Sequence, residues 1–186
     1  MKAVTNAGPL IALGKLGLVR LLSQLYDPIL VPAPVYLEVV TRGLDLGQPD
    51  AYAVQMAVAR RELVVVGVEI AEASTAGIEP SLHLGERAAI QLARQEAADW
   101  VLLDDQLARE QAQELGLRVK GTLGVIVEAY RRQLLAAEEV ELVFQAIVDR
   151  DDIWISDALV RRVWDAWRQE TANPVSGSDS PGRTTG

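Results

Sequence analysis

Five side chains, four acidic and one amide, stand where their neighbours give little reason for them. Glu86 heads a run in which Ala89, Ile90, Ala93 and Ala97 recur at helical spacing, so its carboxylate falls at the N-terminal end of an apolar face. Glu38 is the only ionisable residue in Val35-Tyr36-Leu37-Glu38-Val39-Val40, a segment apolar almost all round and therefore expected to be buried on most sides. Asp104 and Asp105 follow the most apolar strand-length run in the chain, and Asn6 follows the first such run. A carboxylate withdrawn from water needs a basic neighbour, a bound cation or an opening to a pocket. If these oxygens gather, they make a divalent metal site. The chain has no cysteine and one histidine, His83, which leaves oxygen-only ligation and points to Mg²⁺ or Mn²⁺.

Each residue also has a simpler role. Glu86 suits the first turn of a helix, where the macrodipole favours a negative charge, and Glu38 could snorkel to the surface. Asp104 reads best as the N-cap of the helix through Gln106, Ala108 and Glu110, which leaves Asp105 for the metal. Asn6 is a residue type that caps helices and turns chains. Thr122, in Gly121-Thr122-Leu123-Gly124, caps its helix or touches a phosphate, and Arg109, one turn beyond Asp105, meets a substrate phosphate or is a solvated surface arginine. His83, alone and without a partner histidine, carries little weight as a ligand or acid.

The elements that must position these groups are written in alternating apolar runs. Strands are predicted at Ala3 to Thr5, Ile29 to Val31, Leu63 to Val66, Trp100 to Leu103 and Leu117 to Lys120. Helices fit between them at Leu10 to Leu25, Pro34 to Thr41, Asp50 to Arg61, Gly85 to Ala97, Asp105 to Leu115 and Leu123 to Arg132. Strands alternating with helices imply βαβ units and a parallel sheet, whose ligands bind beyond the carboxyl ends of the strands. Val64-Val65-Val66 and Trp100-Val101-Leu102-Leu103 are apolar throughout, as expected of strands covered on both faces. Two more helices follow, Glu138 to Val148 and Asp157 to Gln169. Leu159, Val160, Val163, Trp164 and Trp167 make a stripe on the second, which packs on the sheet or forms a subunit contact. From Thr171 onward the chain is small, polar and rich in breakers, and reads as a disordered tail.

With 186 residues and 49% hydrophobic content the chain is sized for one core. The N-terminal residues lack the pattern of a signal peptide and no apolar run has transmembrane length, so a cytoplasmic protein is expected. A formal charge of −8 argues against a strongly basic nucleic-acid module, unless acids converge on a cation that reverses the local sign.

Asn6-Ala7-Gly8-Pro9-Leu10-Ile11-Ala12-Leu13, Val31-Pro32 through Val35-Tyr36-Leu37-Glu38-Val39, Gly85-Glu86-Arg87-Ala88-Ala89-Ile90, and Leu103-Asp104-Asp105 through Ala108-Arg109 resemble the PIN-domain family in type and order. The step Gly121 to Gly124 resembles an uncharacterised branch of it. The resemblance implies a three-layer α/β fold with a five-stranded parallel sheet in the order 3-2-1-4-5. It implies a PIN-like domain over residues 1–135, a helical extension over 136–170 and a tail over 171–186. It also implies Mg²⁺ or Mn²⁺ held by acids, RNA as substrate, and a toxin role with a small antitoxin partner, while the apolar stripe on the last helix makes a homodimer a reasonable expectation. By position the family's acids fall on Asn6, Glu38, Glu86 and Asp105, with Asp104 able to swing in for the charge that Asn6 lacks and Arg109 and Thr122 steadying the phosphate. A degenerate PIN-like module that only binds RNA or protein is the alternative. A receiver-type α/β domain fits less well, because Thr5-Asn6 stands where that class needs an acid pair.

Overall fold

The chain opens with a short strand, β1 (Ala3–Thr5), which lies at the centre of the sheet between β2 and β4. The computed structural model describes residues 1–70 and 77–172. After β1 come α1 (Ala7–Lys15), α2 (Arg20–Leu25) and β2 (Ile29–Pro32). Next, α3 (Ala33–Tyr36) runs through a π-helical turn (Leu37–Arg42) into α4 (Gly43–Asp45), followed by α5 (Pro49–Ala59) and β3 (Val64–Val66). Then α6 (Leu84–Gln95), β4 (Trp100–Leu102), α7 (Gln106–Glu114), β5 (Val119–Lys120) and α8 (Thr122–Arg131) complete the alternation, and α9 (Ala137–Val148) and α10 (Asp157–Ala172) end it.

All strand pairs are parallel and the order is β3-β2-β1-β4-β5, so the expected five-stranded 3-2-1-4-5 sheet is the observed one. Ala3 faces Ile29 on one side and Trp100 on the other. A strand's side chains alternate between faces, and the two cores obey that rule residue by residue. Ala3, Ile29, Val31 and Leu102 join Leu10, Leu13, Leu22, Ile126 and Phe144 on the face covered by α1, α2, α5 and α8. Val4, Leu30, Val101 and Leu103 join Ile90, Leu92, Ala108 and Ala112 under α6 and α7.

Three expectations need correction. The helix foreseen over Leu10 to Leu25 is two helices, because the chain turns at Gly17 with φ +71, a conformation open to glycine at no steric cost. β3 is an edge strand with Val64 43% and Val65 36% exposed, so its unbroken apolar run does not mean cover on both faces. The stripe on α10 packs on neighbouring helices rather than on the sheet. Trp167 meets Tyr130 of α8 edge-on at 5.3 Å, and Phe144 of α9 stacks against Trp164 at 5.7 Å. Thr171 and Ala172 belong to α10, and the rest of the expected tail lies outside the described residues.

Candidate functional site

The carboxyl edge of the sheet collects the singled-out residues, because β1, β2, β4 and β5 all end there and each hands the chain to a helix. Asn6 is the residue between β1 and α1. It occupies the N-cap position but its side chain caps nothing, and its Oδ1 is buried with no hydrogen-bond partner. An unpaired buried amide oxygen is costly and asks for a ligand. Glu38 lies in the π-helical turn after β2, a distortion that recurs at functional sites. Contrary to the expectation of burial, Glu38 is exposed. The extra residue in that turn sends Val39 and Val40 into the core and turns Glu38 outward.

Gly85 joins these two. A Cβ added to it would lie 3.0 Å from Asn6 Oδ1 and 3.2 Å from Glu38 Oε2, so both oxygens border one small space that the missing side chain leaves open. The next residue, Glu86, is only 7% exposed. Burial raises its carboxyl above the ordinary glutamate range, the His83 N–H donating to it pulls the other way, and the charges of Asp105 and Glu38 raise it again. Glu38 and Asp105 are therefore near enough to Glu86 for their charges to be felt there, and Asn6 is joined to the group through the space beside Gly85. His83 is the N-cap of α6, and its backbone N–H donates to Glu86 Oε2 at 2.9 Å.

The cap expected of Asp104 is made by Asp105, and Asp104 has a different partner. Asp105, assigned to the metal, is the N-cap of α7, with Oδ1 accepting from the Ala108 N–H at 2.9 Å. Asp104, assigned to that cap, serves a different helix. Its Oδ1 accepts from the Thr122 N–H at 2.7 Å and its Oδ2 from the Thr122 hydroxyl at 2.6 Å, tying the end of β4 to the start of α8. Burial raises the Asp104 carboxyl, against the lowering effects of Thr122 and Arg109. With each oxygen accepting a bond from Thr122, Asp104 is held at the start of α8 rather than swung toward Asn6.

Thr122 is fully buried and its hydroxyl is spent on Asp104, so its side chain neither caps α8 nor reaches a phosphate; Gly121 holds the cap position. Arg109 is half-buried, and its Nη1 donates to the Leu103 carbonyl at 2.9 Å. A Cβ on Gly121 would come within 2.9 Å of both Arg109 Nη1 and Asp104 Oδ1, which explains the glycine. Neither Gly85 nor Gly121 carries a functional group, and their part in the site was invisible in the sequence beyond their membership of short motifs.

The donors fit a hard divalent cation in kind: all are oxygens, one is an orphaned buried amide, and a glycine leaves room beside it. The fit is incomplete as the side chains lie. Among the described residues no group of three or more acidic or histidine side chains stands close enough to hold an ion.

These residues line a groove of about 1880 Å³ whose walls also include Arg109, Trp154 and Arg162. No helix among the described residues is long and apolar enough to cross a membrane.

A three-layer parallel α/β domain with this strand order and oxygen donors at the carboxyl edge defines a PIN-like protein. Residues 2–169 match the PIN domain family DUF3368, and the chain belongs to it. Members of the PIN family are generally nucleases, and its nucleases typically use Mg²⁺ or Mn²⁺. Among solved structures the chain is similar to a PilT N-terminus domain protein from the hyperthermophilic archaeon Sulfolobus solfataricus P2. The identity is 16% and the TM-score 0.47, over 69% of this chain and 93% of that one. No curated protein sequence matches the chain.

Proposed function

We propose that this chain is a Mg²⁺- or Mn²⁺-dependent ribonuclease that hydrolyses phosphodiester bonds of RNA. The single observation that carries this reading is the pair of oxygens, Asn6 Oδ1 and Glu38 Oε2, bordering the space beside Gly85. Glu38, Glu86 and Asp105 would hold the cation, with Asn6 as a neutral oxygen donor. When bound, the cation supplies activation of water and neutralisation of charge on the phosphate. The chain's own residues do the rest. Glu86, fixed by the His83 N–H through one oxygen, keeps the other for the site. Asp105 is fixed likewise by Ala108. Asp104, Thr122 and Arg109 are positioning residues: they lock β4, β5 and α8 into the register that aims Asp105. Burial of Asn6 and Glu86 limits the water that competes with substrate. For biological setting we propose the toxin of a toxin–antitoxin pair, on the family resemblance, with a homodimer as its assembly.

A second reading is favoured by the uncharged Asn6 and by the lack of a ready three-acid group: a PIN-like module that binds RNA or protein without cutting it. Incubation of the full chain with RNA and Mn²⁺ separates the two. Cleavage that stops with a chelator, with Glu86→Gln and with Asp105→Ala supports the nuclease. RNA retained intact, with no Mn²⁺ uptake in calorimetry, leaves the binding module.

A further inference from the structure

On one wall of the groove one large apolar side chain is left in water. Trp154, in the connection from α9 to α10, is 90% exposed, while the neighbouring Ile153 is 5% exposed and Ile155 is packed against the same core. The backbone explains the projection. The Ile155 N–H donates to the Ile153 carbonyl at 3.0 Å, a three-residue turn centred on Trp154 that drives its flanking side chains inward and the indole outward.

The connection is held in place. Lys15 Nζ donates to the Asp152 carbonyl at 2.6 Å and sits 3.3 Å from its carboxylate. Arg150 clasps the same carboxylate with Nε at 2.8 Å and Nη2 at 2.9 Å, and its Nη1 donates to the Lys15 carbonyl at 3.2 Å. A connection fixed in this way loses little backbone freedom when a planar ring stacks on the indole it carries. Lys15 is also the last residue of α1, whose other end begins just after Asn6. Nine residues of helix set the platform about 13 Å along α1 from the acidic pocket, a separation of a few nucleotides.

The charge along this wall suits a phosphate backbone. Arg42 and Arg162 both line the groove and are exposed, and among the described residues neither pairs with a carboxylate. They give this path cationic groups in a chain whose net charge is −8.

We infer that Trp154 is a base-stacking platform for single-stranded RNA, with Arg42 and Arg162 contacting the flanking phosphates, so that the C-terminal helices supply a substrate subsite to the sheet-edge pocket. This rests on the reading of RNA as substrate. A duplex hides its base faces, whereas a single strand can lay one on an indole.

The test is fluorescence anisotropy of the full chain with an end-labelled oligoribonucleotide in a buffer containing a chelator, where a metal-dependent nuclease binds the strand without cutting it. Trp154→Ala should weaken single-strand binding about 5- to 150-fold, Trp154→Phe should keep most of it, and duplex binding should hardly change. Arg162→Ala should flatten the salt dependence of binding. Equal affinity of Trp154→Ala and the parent chain overturns the platform, as does an equal loss on duplex and single strand. A self-association detected by sedimentation and abolished by Trp154→Ala, with RNA affinity unchanged, makes the indole a protein contact and also overturns it. The two readings fail separately. Trp154-dependent binding without cleavage by the parent chain leaves the platform standing and removes the nuclease; cleavage with Trp154-independent binding does the reverse.

Discussion

Asp104 receives both hydrogen bonds that Thr122 can donate to it, one from the backbone N–H at 2.7 Å and one from the hydroxyl at 2.6 Å. The pair spans 18 residues of sequence and joins two adjacent strand ends, so it acts as a latch beside the site. Asp104→Ala strands two buried donors and should cost about 1–3 kcal/mol in denaturant unfolding, more than Thr122→Val, which removes only one bond.

The same latch predicts a pH dependence. Burial holds the folded Asp104 carboxyl above its ordinary range, so between the unfolded and folded values the native state binds the proton and the unfolded chain does not. Stability contributed in this way is present at low pH and is lost as pH rises through the raised value. Asp104→Asn keeps an acceptor for the Thr122 N–H and cannot titrate. Its unfolding free energy should lack that downward slope, measured by urea titration across the acid to neutral range.

Gly85→Ala separates the site from the fold. Alanine is the better helix former by about 1 kcal/mol, but its methyl would meet Asn6 Oδ1 at 3.0 Å and Glu38 Oε2 at 3.2 Å. The variant should unfold within a few degrees of the parent chain and lose Mn²⁺ affinity by about tenfold or more, read by calorimetry. Unchanged Mn²⁺ uptake would mean the cation, if held, is held elsewhere.

Asn6→Asp restores a charge at the first family position. Beside Glu38 and Glu86 it should destabilise the metal-free chain and tighten Mn²⁺ binding by about tenfold, so that added Mn²⁺ raises the unfolding temperature more than in the parent. Because burial raises Glu86, protons compete with the cation there at higher pH than at an ordinary glutamate, and affinity should fall on acidification through that range. Glu86→Gln should remove that part of the pH dependence.

Trp167→Ala tests whether the C-terminal helices belong to the core. Trp167 is 3% exposed between Tyr130 and Phe144, and its truncation should cost about 3–5 kcal/mol in thermal or urea unfolding. Arg168→Ala, which breaks the exposed pair with Glu141, should cost far less, since water and salt screen such contacts.

Strand and helix order, parallel pairing and the edge on which a site must lie were legible in the chain, because they follow from short-range periodicity and from the rule that parallel strands require crossover helices. Asn6, Glu38, Glu86, Asp104 and Asp105 were legible as residues out of keeping with their surroundings. Which partner each one meets was not. Nothing local to Asp104 indicates that it latches to Thr122 while Asp105 caps α7, since either residue has the chemistry for either task. Nor does any local pattern reveal that Gly85 leaves the space between Asn6 and Glu38, that a π-helical turn carries Glu38 outward, or that a clamped three-residue turn lifts Trp154 into the groove. Those facts depend on distances across the fold, and sequence spacing constrains neighbours along one element while leaving contacts between elements to packing.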